Sequence, residues 1–528
     1  MSSRTWMRGA LRWTLAVTSF AWIATAQGQA LTIGTMVEPK SMDPQLTALS
    51  SDLSYYRHVF DSLVTPDDRL RPRPGLAESW TVVSDTVYEF KLRRGVRFHD
   101  GSTFDAKDVV YTLERLPKVP NGDGLTAGKL KPISRVEVID PYTIRLHTSK
   151  PDSGILRALG QLFILPKGLG PNVTSDDFSG GKAAIGTGPF RFVSWKRSDN
   201  MQLARNDAWW GGKPDFTKVT FRFIPNSASR VAALQAGDVD MIDFVPPLDV
   251  SRLSRDPKIS IFKASAARVI YLELDTLRDA APGVTDLAGK PLDRNPFKDI
   301  RVRQAISHAI DRKLIVSRVL EGMGEPATQL MPQGFGGYND ALKVPAFDPA
   351  LSRKLLAEAG YPQGFAMTLA CTNDRYVNDS SFCQAIGQML ARVGIKVAVD
   401  AMPANVYFPK YNKASFGAYI LGWGNSSGDA SSVLTSVVHS PNKATGRGSW
   451  NHNYTNATLD ALIDAALGTV DDTRREALYA KAMERVMEDA AIIPLHAQLV
   501  IVATRKGLTY TPAADEATLA QNVRSRKH

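Results

Sequence analysis

Residues Gly424-Asn425-Ser426-Ser427-Gly428 match G-x-S-x-G, the elbow that exposes a serine nucleophile between a strand and a helix. Asp460 or Asp464 and then His496 follow in the Ser, Asp, His order of an α/β-hydrolase triad, so the chemistry would be ester cleavage by a secreted serine hydrolase. The surroundings argue against it. No HGGG-type oxyanion segment stands upstream, and the strand before the turn lies far along a chain of many alternating units. The same turn carries Trp423, Asn425 and Asp429, side chains that stack against and hydrogen-bond a ligand without changing it.

Other chemistries find less support. His58, His99, His147, His308, His439, His452, His496 and His528 include no H-x-H, no H-x-x-x-H and no cysteine at zinc spacing. Asp85, Asp100, Asp105 and Asp108 are spaced as turn and cap residues rather than as a calcium loop, so neither a metal nor a cofactor is expected. Gly186-Thr187-Gly188-Pro189 is too short for a phosphate loop and lacks its Lys-Ser/Thr, and reads as a tight connection. A second polar cluster, Asn373-Asp374-Arg375-Tyr376, follows an apolar strand; Arg375 could take a carboxylate in a bidentate pair, or the cluster could be a solvated loop. Cys371 and Cys383 are the two cysteines, twelve positions apart. In an oxidising compartment they form a disulfide, and otherwise they are two buried thiols.

That compartment is read from the N-terminus. Arg4, Arg8 and Arg12 precede an apolar run from Trp13 to Ala26, with cleavage offered after Ala26 or Ala30, which is the layout of a secretory signal peptide. The segment holds three arginines and no acid, so its removal takes the formal net charge from +11 to +8. The remaining basic residues are scattered and never interleave densely with aromatics, which excludes nucleic acid as the partner. Neither cysteine sits where it could take a lipid anchor, so the expectation is a free protein of a Gram-negative periplasm, not a lipoprotein.

The elements that must position these residues follow from patterning. Leu31 to Thr35, Tyr88 to Leu92 and Val219 to Phe223 read as strands, the last two by alternation. Asp105, with Asp108 three positions on, caps a helix; Asp140-Pro141 turns a hairpin; a helix from Ser227 to Ala236 ends at Gly237 and leads to a strand at Val239 to Ile242. Asp311 opens a helix expected to end at Gly322, and Asp348 opens another with Pro349 at N1. Met367 to Ala370, Phe382 to Val393 and Ile395 to Val399 form strand, helix and strand, and a long helix spans Thr473 to Met487 before apolar runs at Ile492 to Leu495 and Leu499 to Ala503. Strands alternate with helices in two blocks, with a β-rich insert in the first. The fold class is therefore α/β with two lobes, and ligand belongs in the crevice between them.

HVFDSLVTPDDRLRPRPGLAESW, YEFKLRRGVRFHDGSTFDAKDVVYTLERL, GTGPFRFVSW, NDAWWGGKP, ALQAGDVDMID, NPFKDIRVRQAISHAIDRKLIVSRVLEGMGEPA, FDPALSRKLLAEAGYP, NATLDALIDAAL and DAAIIPLHAQ together resemble family 5 of the extracellular solute-binding proteins. The resemblance implies a two-lobed periplasmic binding protein fold, type II and cluster C-like, with a β-rich subdomain at 53–181. It places lobe I at 31–52, 182–268 and 490–528, lobe II at 269–489, and crossovers near 268–276 and 489–495. It implies a monomeric receptor, not an enzyme, that captures a di- or oligopeptide or peptide-like compound and delivers it to an ABC permease with a cytoplasmic ATPase. A sugar, an opine or glutathione is the alternative cargo on the same fold. Trp80, Arg97, Trp209 and Trp210 belong to the scaffold, whereas Met42, Asp43, Asp374, Arg375, Tyr376, Trp423, Gly424, Asn425 and Asp429 are the implied ligand residues. Trp423 would wall the ligand, Asp429 would pair with a cation and Arg375 with an anion. Ser426 stands where dipeptide receptors of the family carry an acid that pairs with the peptide amino terminus, so Asp429 would have to supply that charge.

Overall fold

The computed structural model describes residues 29–47, 49–122, 125–425 and 427–526. Expectations for the signal peptide and for Ser426 fall outside the described residues, apart from Gln29 and Ala30 at the end of the former.

The strands are β1 (Ala30–Thr35), β2 (Val64–Pro66), β3 (Pro72–Pro74), β4 (Ala77–Ser84), β5 (Val87–Leu92), β6 (Ile133–Asp140), β7 (Thr143–Thr148), β8 (Phe190–Lys196) and β9 (Asn200–Arg205) in the first half of the chain. They continue as β10 (Lys218–Phe223), β11 (Met241–Ile242), β12 (Ile259–Leu274), β13 (Val284–Thr285), β14 (Gly324–Pro326), β15 (Phe365–Thr372), β16 (Ile395–Met402), β17 (Ala418–Gly424) and β18 (Ile492–Arg505). One large sheet runs β13-β15-β17-β12-β18-β11-β1-β10-β9-β8, with β16 on β15 and β14 on β18.

The antiparallel pair β12 and β18 carries the chain between lobes. On β12, Ala266 packs in the core of β1, β9 and β10, while Ile270, Leu272 and Leu274 pack in the core of β15 and the helix Asp379–Ala391. On β18, Val500 and Val502 belong to the first core, and Ile493 and Leu495 to the second. Register shifts at Ser265/Val269 and Ile270/Tyr271 interrupt the ladder between the two halves. Such irregularities bend and twist a strand pair, which lets one sheet serve two lobes.

Local chemistry makes the elements. Val219, Phe221 and Phe223 alternate inward along β10, and Asp105 caps the helix Ala106–Arg115 through a capping box with Asp108. Gly237 takes a left-handed conformation at the end of the helix Ser227–Ala236. The segment Gly186 to Gly188 is a tight connection because it lies against Val59: a Cβ on Gly186 would fall 1.9 Å from the Val59 carbonyl oxygen.

β4-β5-β7-β6 form a separate four-stranded sheet whose apolar cluster runs from Leu63 to Ile164. That is narrower than the expected 53–181, since Tyr55, Tyr56, Val59 and Phe178 pack into the lobe I core instead. Trp209 and Trp210 do scaffold work, donating from their indole nitrogens to Asp61 Oδ2 at 3.3 and 2.7 Å, with the Arg93 guanidinium over the Trp210 ring.

Candidate ligand-binding site

Strand β17 ends at Gly424, where Arg268 on β12 is its partner, and the chain turns sharply at the lobe boundary. The turn holds itself. Asn425 accepts from the Ser427 amide at 3.0 Å and the Ser427 hydroxyl at 2.6 Å, and donates to the Asp429 carbonyl. Asn425 is therefore a buried brace of the turn. Asp429 is 1% exposed and accepts from the Ser431 amide at 3.1 Å and from the Ser431 and Ser427 hydroxyls.

Its charge partner comes from the other lobe. Arg157, in the helix Ile155–Leu159 of the subdomain, places Nε 3.2 Å from Asp429 Oδ2. The carboxylate expected to face a ligand cation faces a guanidinium of the protein instead. Further contacts join the lobes nearby. Arg69 donates to the Gly334 carbonyl at 3.4 Å, Ser153 donates from its amide and hydroxyl to the Leu467 carbonyl, and Leu70 is buried in the aromatic cluster of lobe II.

Met42 and Asp43 are likewise inward. Met42 lies in the lobe I core, and Asp43 receives Arg115 Nη1 at 3.0 Å and Nη2 at 2.7 Å, together with the Ser175 hydroxyl. The bidentate pair satisfies the carboxylate and leaves it no face toward the crevice. Asp374 accepts from the Ala404 amide at 2.8 Å and so docks on the first turn of the helix Ala404–Asn412.

Arg375 is different. It is exposed, its Nε donates to the Tyr376 hydroxyl at 3.1 Å, and its guanidinium lies 4.7 Å from the Phe408 ring centroid. Tyr376 accepts from the Gly422 amide at 2.9 Å and donates to the Gly422 carbonyl, which ties the Arg375 cluster to the Gly422-Trp423 end of β17. No acidic side chain pairs with Arg375 among the described residues. Trp423 is half-buried, donates to the Ser432 hydroxyl at 3.1 Å and meets Trp450 edge to face. Cys371 and Cys383 are bonded, fastening the end of β15 to the helix Asp379–Ala391 on either side of the Arg375 loop.

The triad residues do not assemble. His496 is buried edge to face against Phe382, neither ring nitrogen makes a hydrogen bond among the described residues, and burial lowers its pKa to about 3. Asp460 and Asp464 lie instead beside His439, with Arg447 also paired to Asp464. No acid orients His496 among the described residues, and a general base needs one.

Comparison with known proteins follows the geometry. Residues 71–445 match the model described as bacterial extracellular solute-binding proteins, family 5 middle. The chain belongs to this family. This family-5 receptor is similar to heme-binding protein A of Haemophilus influenzae, at 29% identity over 459 residues, covering 80% of this chain and 78% of the relative. It is similar to the dipeptide-binding protein of Escherichia coli, at 26% identity over 521 residues and 92% of both chains. Among solved structures, the ABC transporter-associated periplasmic binding protein DppA from Helicobacter pylori, in complex with peptide STSA, superposes with a TM-score of 0.76. It shares 27% identity, covering 95% of this receptor and 98% of that chain.

Patterning alone missed Arg157, Leu70 and the half-buried pair of Arg268 with Glu516, in which Arg268 Nε and Nη2 reach the carboxylate at 2.9 and 2.8 Å. Arg268 and Glu516 lie 248 positions apart, and nothing in either neighbourhood marks the other.

Proposed function

We propose that this receptor captures a di- or oligopeptide, or a peptide-like compound, and presents it to the transmembrane subunits of an ABC importer. Similarity to a peptide-loaded receptor over 95% of the chain carries the reading. Arg375 supports it locally, as a guanidinium aimed by Tyr376 and Phe408 and left without an acidic partner, suited to a ligand carboxylate. Trp423 walls the same end of β17. Asp429 is not the ammonium anchor in this reading, because Arg157 and Ser431 already satisfy it.

The receptor works as a monomer in a Gram-negative periplasm, without a lipid anchor, and does no covalent chemistry. Contacts made to both lobes favour the closed arrangement, and only such differential contacts shift the balance. Mass spectrometry of the compound released from purified protein, followed by a thermal-shift panel, tests the reading. A peptide at a hundred times its dissociation constant should add about 2.7 kcal/mol. Release of a sugar or an opine would replace the cargo, and ester cleavage lost in Ser426→Ala would replace the receptor.

A further inference from the structure

The guanidinium of Arg375 stands at one end of an aromatic wall. Its Nε is taken up by the Tyr376 hydroxyl, and among the described residues neither Nη1 nor Nη2 makes a hydrogen bond. The guanidinium lies over Phe408, whose ring meets Trp450 edge to face at 6.1 Å between centroids. Trp450 in turn meets Trp423 edge to face at 6.0 Å. Cation and three rings therefore form one unbroken run of contacts.

The surrounding residues hold this run in place. A Cβ on Gly422 would fall 2.8 Å from the Tyr376 ring, so glycine there lets Tyr376 reach the Gly422 amide and brings Arg375 beside the backbone that carries Trp423. Behind Trp450, the buried Tyr411 stacks at 5.6 Å and donates its hydroxyl to the Trp450 carbonyl at 2.6 Å. Phe408, Trp423 and Trp450 pack against the lobe II aromatic cluster and are nevertheless only half-buried, so each leaves ring surface uncovered. Strands β15 and β17 are parallel, and β17 reaches the lobe boundary at Gly424, opposite Arg268. Arg375 and Trp423 thus lie at the carboxyl ends of neighbouring parallel strands, where open α/β sheets take their ligands.

We infer that Phe408, Trp450 and Trp423 form a subsite for the side chain next to the ligand carboxylate, so that the receptor selects peptides with an aromatic carboxy-terminal residue. In such a peptide one carbon bears both the carboxylate and the ring-carrying methylene. The free Nη donors take the former, and the adjoining wall takes the latter. The inference rests on the peptide reading above and names its substrate class.

Alanyl-phenylalanine, its sequence isomer phenylalanyl-alanine and alanyl-alanine, each also extended by two alanines at the amino end, separate the possibilities when titrated into the full chain by calorimetry. Peptides ending in phenylalanine should bind at least about tenfold more tightly than both comparison peptides, since only they lay a ring on the wall. Trp423→Leu and Trp450→Leu should each narrow that preference by weakening the phenylalanine-ended peptides more than the alanine-ended ones. If one variant fails to fold, the other and the comparison of peptides on the native protein carry the test. Equal binding of the phenylalanine-ended peptides and either comparison series, or equal weakening of all peptides in the tryptophan variants, overturns the aromatic subsite and leaves the peptide receptor standing. Binding of no peptide overturns both.

Discussion

Arg375 presents a charge that the protein aims but does not neutralise, with Nε on the Tyr376 hydroxyl and the plane over Phe408. Because its side chain is exposed and its backbone bond to Asp379 survives the substitution, Arg375→Ala should leave folding intact. The same substitution should weaken a carboxylate-bearing ligand by about 2 kcal/mol, roughly thirtyfold, in a calorimetric titration. Asp429 behaves in the opposite way. Asp429→Asn leaves Arg157 beside an uncharged amide at the lobe boundary, and breaking a largely buried pair costs about 3 kcal/mol. Chemical denaturation should show that loss without ligand present, which marks Asp429 as a residue of the protein's own closure.

At the scale of elements, the disulfide has a place in function as well as stability. Cys371 ends β15 and Cys383 lies in the helix Asp379–Ala391, so the bond brackets the loop that carries Arg375. Closing a loop of this length is worth about 3 kcal/mol in the chain-entropy account. Urea unfolding with and without reductant should show a lower midpoint after reduction, and ligand affinity should fall with it as the loop loosens. The capped helices were legible from residues such as Asp105 and Asp348, whose side chains bond amides two or three positions away. The helix expected from Asp311 to Gly322 was not. It gives way after Leu314 to a π-helical turn, Ile315–Val319, packed against the helix Asp379–Ala391, a tertiary contact that local propensity does not encode.

The whole molecule closes on a glycine. Gly428 has φ +74, and a Cβ there would fall 2.5 Å from the Cβ of Leu70 across the lobe boundary. Gly428→Ala should therefore hold the lobes apart, read as a larger radius of gyration in solution scattering, and weaken ligand binding. Stability of the whole molecule should also depend on pH in two directions. Glu273, wholly buried on β12, has neither oxygen in a hydrogen bond of normal geometry among the described residues, and burial raises its pKa from 4.5 to about 8, with the Tyr419 hydroxyl opposing. The folded chain keeps that proton, so the stability is full below 4.5 and is lost as pH rises through about 8. His58, His99 and His496 run the other way, lowered by burial from 6.5 to about 4, about 4 and about 3, so their stability is lost as pH falls below 6.5. Asp243, raised by burial to about 6, offsets part of that acid loss. Thermal melts should peak near pH 6.5, and Glu273→Gln should flatten an alkaline limb whose slope is up to about 1.4 kcal/mol per pH unit.

Periodicity, caps and turn residues settled the two-lobed α/β class, because each acts within a few residues of chain, and Arg375 and Trp423 were visible as polar or aromatic residues following an apolar strand. Which carboxylates face a ligand was decided elsewhere. Asp43 and Asp429 look alike in the sequence, yet one meets Arg115, 72 positions on, and the other meets Arg157 from the opposite lobe. A charge is available to a ligand only if folding brings it no partner of opposite sign, and that partner is fixed by packing between segments distant in sequence. The G-x-S-x-G match failed for the same reason: His496 is carried on the crossover strand into an apolar pocket against Phe382, away from the acids that would have had to orient it.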